Sequence, residues 1–168
     1  FFYVKVMRSF SSIVLAVLFL FVSLGVHAQS SSWKQCENIP SLNETCVSLE
    51  MIDSQYLNVQ LTINDVTYLN QTVSKGIVQR TFCVNQDELI SLMTDTPALS
   101  PYQSQVNATI SDYGYIPYDD YSVCVLLQDT DLSGNTFNGC TSVDATLMCF
   151  DTGCLYKGIV SFGCWTIS

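Results

Sequence analysis

The stretch Leu57-Asn58-Val59-Gln60-Leu61-Thr62-Ile63 places an apolar side chain at every odd position and a polar one at every even position. A period of two puts all the apolar groups on one face of an extended chain, so the segment reads as a strand with one buried and one wet side. Asn64-Asp65 supplies turn residues, and Val66 to Val73 follows as a second β-rich run. The two runs therefore form a hairpin. Asn70 opens the sequon Asn70-Gln71-Thr72, and a glycan on it needs the wet face. A two-residue turn would pair Val59 with Asn70 on the buried face. A three-residue loop through Val66 places Asn70 beside Gln60 outside and leaves Leu69 and Val73 inside. The second register is expected.

Further strands are read outward from this hairpin at Cys46 to Ile52, Ser122 to Leu127, Ser142 to Phe150 and Leu155 to Ile167, the last interrupted near Gly158 and Gly163. Gly134-Asn135, Asn138-Gly139 and Asp151-Thr152-Gly153 read as turns. One short helix starts after Asn85, where Glu88 stands at the capping-box offset and Leu89, Leu92 and Met93 share a face. Pro97 and Pro101 are read as closing it. Residues 94–120, rich in Ser, Tyr, Asp and Pro, are expected to be an irregular insertion. The fold class is all-β, an antiparallel sandwich or barrel-like domain stapled by disulfides.

At the N-terminal end, Ile13 to Val26 forms an apolar run of 14 residues after Arg8 and is followed by Val26-His27-Ala28. A positive flank, a short apolar core and small residues before a cut describe a secretory signal peptide, and the run is shorter than the ~20 residues of a membrane span. Residues 1–28 are thus expected to be a leader and 29–168 a single exported domain with no stable membrane anchor after cleavage. Met7 suits a natural start, since the FFYVKV before it adds nothing that a signal peptide requires.

The exported part would carry 4 basic and 15 acidic side chains and no histidine, because Lys5, Arg8 and His27 belong to the leader. So acidic a surface has no face for phosphates, which excludes nucleic acid as a partner. Without an imidazole, Ser-His-Asp and Cys-His nucleophiles and His-ligated metals are excluded as well. Nor is disorder compatible with a chain that is 48% hydrophobic and 12% charged.

All eight cysteines, Cys36, Cys46, Cys83, Cys124, Cys140, Cys149, Cys154 and Cys164, lie in the exported part. An even count in an exported chain, with no C-x-x-C pair, reads as four disulfides and not as a thiolate metal site. Eight cysteines allow 105 pairings, about which spacing alone is silent. Asn43, Asn70 and Asn107 each open an N-x-Thr sequon and are the expected glycosylation sites.

Four stretches are weighed for function. Asp129-Thr130-Asp131-Leu132-Ser133-Gly134 copies the opening of a calcium loop, but its twelfth position is Cys140 and its flanks read as strands. An acidic β-turn is the preferred reading, with Asp129, Asp131 and Ser133 as the ligands should calcium bind. Tyr113, Tyr115, Tyr118 and Tyr121 stand among acids and form a candidate recognition patch, as tyrosine gives large contact area at small entropic cost. Asp119 and Asp120 could supply a carboxylate pair, yet neighbours in a strand point to opposite faces and suit no single scissile bond. Trp33-Lys34-Gln35-Cys36 is reminiscent of the start of secreted lipid-recognition sandwiches, where a pocket would be lined by Val59, Leu61, Val125 and Leu147.

Two blocks spanning about residues 46–165 carry a resemblance. The first is Cys46-Val47-Ser48-Leu49-Glu50, the hairpin and Phe82-Cys83-Val84. The second is Val123-Cys124-Val125 with Asp129 and Asp131, then Phe137-Asn138-Gly139-Cys140, Val143 to Leu147, and Gly163-Cys164-Trp165. Together they resemble an uncharacterised family of secreted cysteine-rich domains from invertebrates. The chain departs from it in the long insertion between Cys83 and Cys124 and in the extra pair Cys149 and Cys154. The resemblance implies secretion, β-structure and disulfides, and brings no activity. Taken together, the residues lead us to expect a non-enzymatic extracellular binding domain without a cofactor, its partner a protein, a glycan or a small apolar ligand. A lipid carrier is the alternative.

Overall fold

The computed structural model describes residues 31–74, 79–131 and 136–168; the expected leader, Ser133 and the Gly134-Asn135 turn lie outside them. Two four-stranded antiparallel sheets face each other. The first is a meander of β1 (Ser32–Ile39), β2 (Asn43–Met51), β3 (Tyr56–Ile63) and β4 (Val66–Ser74). The second runs β5 (Gln79–Cys83), β6 (Ser122–Asp131), β7 (Phe137–Phe150) and β8 (Gly153–Ile167). Between β5 and β6 the chain makes α1 (Gln86–Asp95), a 3-10 turn (Ser100–Tyr102) and α2 (Gln103–Tyr113). Edge strand β1 runs beside edge strand β8.

The core is the sum of the alternating strands. Leu57, Val59, Leu61 and Ile63 of β3 meet Val47 and Leu49 of β2, and from the other sheet come Val123, Val125, Val143, Ala145 and Leu147. Each large aliphatic side chain so buried contributes about 1.5–3 kcal/mol of transfer free energy. Val59, Leu61, Val125 and Leu147, the four residues expected to line a lipid pocket, are all fully buried in this continuous core.

The hairpin has the expected register by a different route. Asn64 and Asp65 have φ of 50° and 65° and make a tight two-residue turn that pairs Ile63 with Val66. A bulge at Tyr68 then shifts the pairing by one residue, so that Leu61 faces Leu69 and Gln60 faces Asn70. Asn70 is consequently exposed, with Leu69 and Val73 inside.

Residues 94–120 are not irregular, as composition suggested. Pro101 lies in the 3-10 turn that leads into α2, a position where a preset φ and a missing N–H favour a helix start. Gly114 closes α2 in the left-handed conformation with φ 79°, and its N–H bonds the Ile110 carbonyl. The helix after Asn85 is capped as expected, with Glu88 N–H donating to Asn85 Oδ1 at 2.9 Å. Asn138-Gly139 is not a turn but part of β7. A Cβ at Gly139 would stand 2.6 Å from both the Gln128 carbonyl oxygen and Trp165 Cζ2, so glycine serves here to admit the indole ring. Likewise β8 is unbroken at Gly158. Its irregularity is at Phe162-Gly163, where Thr141 pairs with Gly163 and Ser142 with Ser161. Strands β1 and β5 were not foreseen.

The eight cysteines form Cys36–Cys46, Cys83–Cys124, Cys140–Cys164 and Cys149–Cys154, and none is free. Every bridge joins residues directly opposite each other on neighbouring strands, β1 with β2, β5 with β6, and β7 with β8 twice. No disulfide runs from one sheet to the other. Cys46 and Cys124 alternate with core residues Val47 and Val123, so these bridges lie on the outward faces of the sheets.

Candidate functional site

The tyrosine-rich segment is built on two anchors. Ile116 is buried, and its backbone is clasped by one side chain: Gln86 Nε2 donates to the Ile116 carbonyl at 3.0 Å and Ile116 N–H donates to Gln86 Oε1 at 3.2 Å. Tyr121 is the second anchor. It is buried, and its hydroxyl donates to the Leu89 carbonyl at 3.1 Å. Between them Pro117 O accepts the N–H groups of Asp120 and Tyr121 at 3.0 and 3.1 Å and closes a turn. The side chains that remain outside are Tyr113 on the last turn of α2, 69% exposed, Tyr115, 53% exposed, and Tyr118, 56% exposed.

The patch is therefore three tyrosines and not four. Tyr121 belongs to the core, where burial foremost, with the neighbouring Tyr68 hydroxyl second, raises its pKa well above the usual tyrosine value. Tyr113 at the end of α2, Tyr115 beside the anchored Ile116 and Tyr118 between Ile116 and Tyr121 are displayed in a prepared arrangement, so a partner that binds them need not order the backbone. Asp119 and Asp120 lie in the turn, not in a strand, and the Asp120 carbonyl accepts from Cys149 N–H at 3.0 Å.

A second feature is the wet face of the first sheet. Lys34, Ser48, Gln60 and Asn70 form one row across the four strands, and Ser32, Glu50, Asn58 and Thr72 form the next. A groove of about 290 Å³ lies along these rows, and the wet-face residues Ser32, Lys34, Ser48, Glu50, Asn58 and Gln60 are among those that line it. Trp33, between Ser32 and Lys34 on β1, faces the other way and packs against the core.

Of the remaining candidates, Asn43 is exposed at the start of β2 and Asn107 is exposed on α2. Asp129 and Asp131 lie in β6, opposite Gly139 and Asn138. The strand expected to end at Leu127 thus runs on through the first three positions of the calcium-like stretch, and residues 132–134 of that stretch lie outside the described residues. Cys36, Glu44 and Cys46 come together, but both sulfurs are consumed by their disulfide. Among the described residues no helix is long and apolar enough to cross a membrane.

The fold and the site thus define a disulfide-stapled, mostly β sandwich that displays three tyrosine side chains beside its helices. Compared with known proteins, the chain matches no family model, no curated protein and no solved structure.

Proposed function

We propose that this chain is a secreted, glycosylated binding domain that acts without catalysis and meets its partner through Tyr113, Tyr115 and Tyr118. The observation that carries this reading is their exposure on a segment whose backbone is fixed by Gln86 and by the buried Tyr121. Large rigid side chains that protrude from an anchored loop serve recognition at low entropic cost. Four formed disulfides fit an oxidising, extracellular environment. The leader-like residues 1–28 and the exposed asparagines of three sequons support export and glycosylation.

The test presents the exported protein and its Tyr113→Ser/Tyr115→Ser/Tyr118→Ser variant to arrays of extracellular proteins and glycans. Binding that falls at least about tenfold in the folded variant, equivalent to ~1.4 kcal/mol, is the expected result. Ligands held equally well by both proteins would remove the tyrosines from the interface.

A further inference from the structure

We infer that the polar groove on the first sheet is the seat of the chain's own glycan, carried on Asn70. The inference rests on the reading that the protein is exported and glycosylated, and adds where one glycan goes. Asn70 stands directly opposite Gln60 and Thr72 opposite Asn58, and both Gln60 and Asn58 line the groove. Opposite side chains on neighbouring strands are about 5 Å apart, so Ser48 is about 10 Å from Asn70 along the same row and Lys34 about 15 Å. A sugar ring is about as wide as one strand spacing, so the first two residues of an Asn-linked glycan, lying along this row, pass over Gln60 and Ser48 toward Lys34.

The lining has the chemistry for such an occupant. The Asn58 and Gln60 amides both donate and accept, the Ser32 and Ser48 hydroxyls do likewise, Lys34 donates and Glu50 accepts. These groups complement the hydroxyls and acetamide of a β-linked glucosamine better than they would an apolar guest. Ser48, a short side chain between the longer Lys34 and Gln60 on neighbouring strands, keeps the row open. The bulge at Tyr68 is what brings Asn70 into this row. Without it Asn70 would pair with Val59 and face the core.

The experiment uses the secreted chain with Asn43→Gln and Asn107→Gln, so that Asn70 is the one sequon left, compared with the same chain carrying Thr72→Ala. Mass spectrometry establishes whether Asn70 is occupied. In the glycosylated chain we expect nuclear Overhauser contacts from the core acetamide methyls to Gln60 and Ser48, and acylation of Lys34 severalfold slower than in the Thr72→Ala chain. Gln60→Ala in the glycosylated chain should weaken these contacts while leaving the unfolding midpoint in place. An unmodified Asn70 in the exported chain would overturn the inference together with the use of this sequon. A glycan that is present but gives no contacts, with Lys34 equally reactive in both chains, would overturn the seating alone.

Discussion

Tyr68 Oη donates a 2.6 Å hydrogen bond to Asp95 Oδ2, tying the bulged residue of β4 to the last residue of α1. The ring is buried while the carboxylate is exposed, so the bond sits where the helix meets the edge of the first sheet. Tyr68→Phe keeps the ring and removes the bond; a loss of about 1 kcal/mol is expected by denaturant unfolding. Asp95→Asn should lose less than that, and the double variant no more than Tyr68→Phe alone.

Alkali should act through two tyrosines. For Tyr68, burial, then the bond to Asp95 and the charges of Asp95 and Glu88, raise the pKa; for Tyr121, burial does so first. A raised folded-state pKa contributes stability that is fully present below the unfolded value of about 10 and is lost as pH climbs above it. Stability should therefore be flat with respect to these groups below pH ~10 and fall above it, by about 1.4 kcal/mol per pH unit from Tyr121. Tyr68 adds in the same direction. Unfolding curves collected from pH 9 to pH 11, with Tyr121→Phe as the control of reduced slope, check this.

Thr96 Oγ1 is buried and has no hydrogen-bond partner, although the Thr96 N–H caps α1 by donating to the Leu92 carbonyl at 3.0 Å. Thr96→Val retains shape and the extended backbone that precedes Pro97, and removes the unsatisfied hydroxyl. A gain of about 1 kcal/mol in unfolding free energy is expected.

Gly139→Ala is expected to lose about 2 kcal/mol or more, since the added methyl meets the Gln128 carbonyl on one side and the Trp165 ring on the other. Trp165 cannot yield freely because its Nε1 donates to Thr141 Oγ1 at 2.7 Å in the interior. Trp165 fluorescence in the folded variant reports the displacement.

Removal of single disulfides should follow the length of chain they enclose. Cys83→Ala/Cys124→Ala opens a separation of 41 residues and Cys149→Ala/Cys154→Ala one of 5. The chain-entropy relation puts the losses near ~4 and ~2 kcal/mol. Equal losses measured by denaturant unfolding would show that native-state packing, and not the unfolded chain, sets their value.

The all-β class and the central hairpin were legible because Leu57 to Ile63 alternates without a fault and because Asn70 needs water. Cap chemistry made the helix after Asn85 legible for the same reason, a local hydrogen bond written in adjacent residues. The second helix is hidden because Pro101 reads as a stop although it stands at a start; Gly114 in the C′ position is the signal that locates its end. Composition does not distinguish the anchor Tyr121 from the displayed rings of Tyr113, Tyr115 and Tyr118. Disulfide pairing depends on register, and register in β7 and β8 depends on bulges that no period reveals. The groove arises from cross-strand neighbours far apart in sequence, Lys34 with Ser48 and Gln60, which no motif joins.

Because the bridges join only adjacent strands, the covalent map of the molecule is three islands on one thread: residues 36–46, residues 83–124, and residues 140–164 with the small 149–154 ring inside it. A single scission of the backbone between Cys46 and Cys83, or between Cys124 and Cys140, yields two pieces that no sulfur holds together. A cut between β4 and β5 leaves the two sheets held chiefly by their apolar contact, whereas one between β6 and β7 leaves the ladder that pairs those two strands as well, so a protease acting between β4 and β5, and not a reductant, is the agent that takes this domain apart along its natural seam.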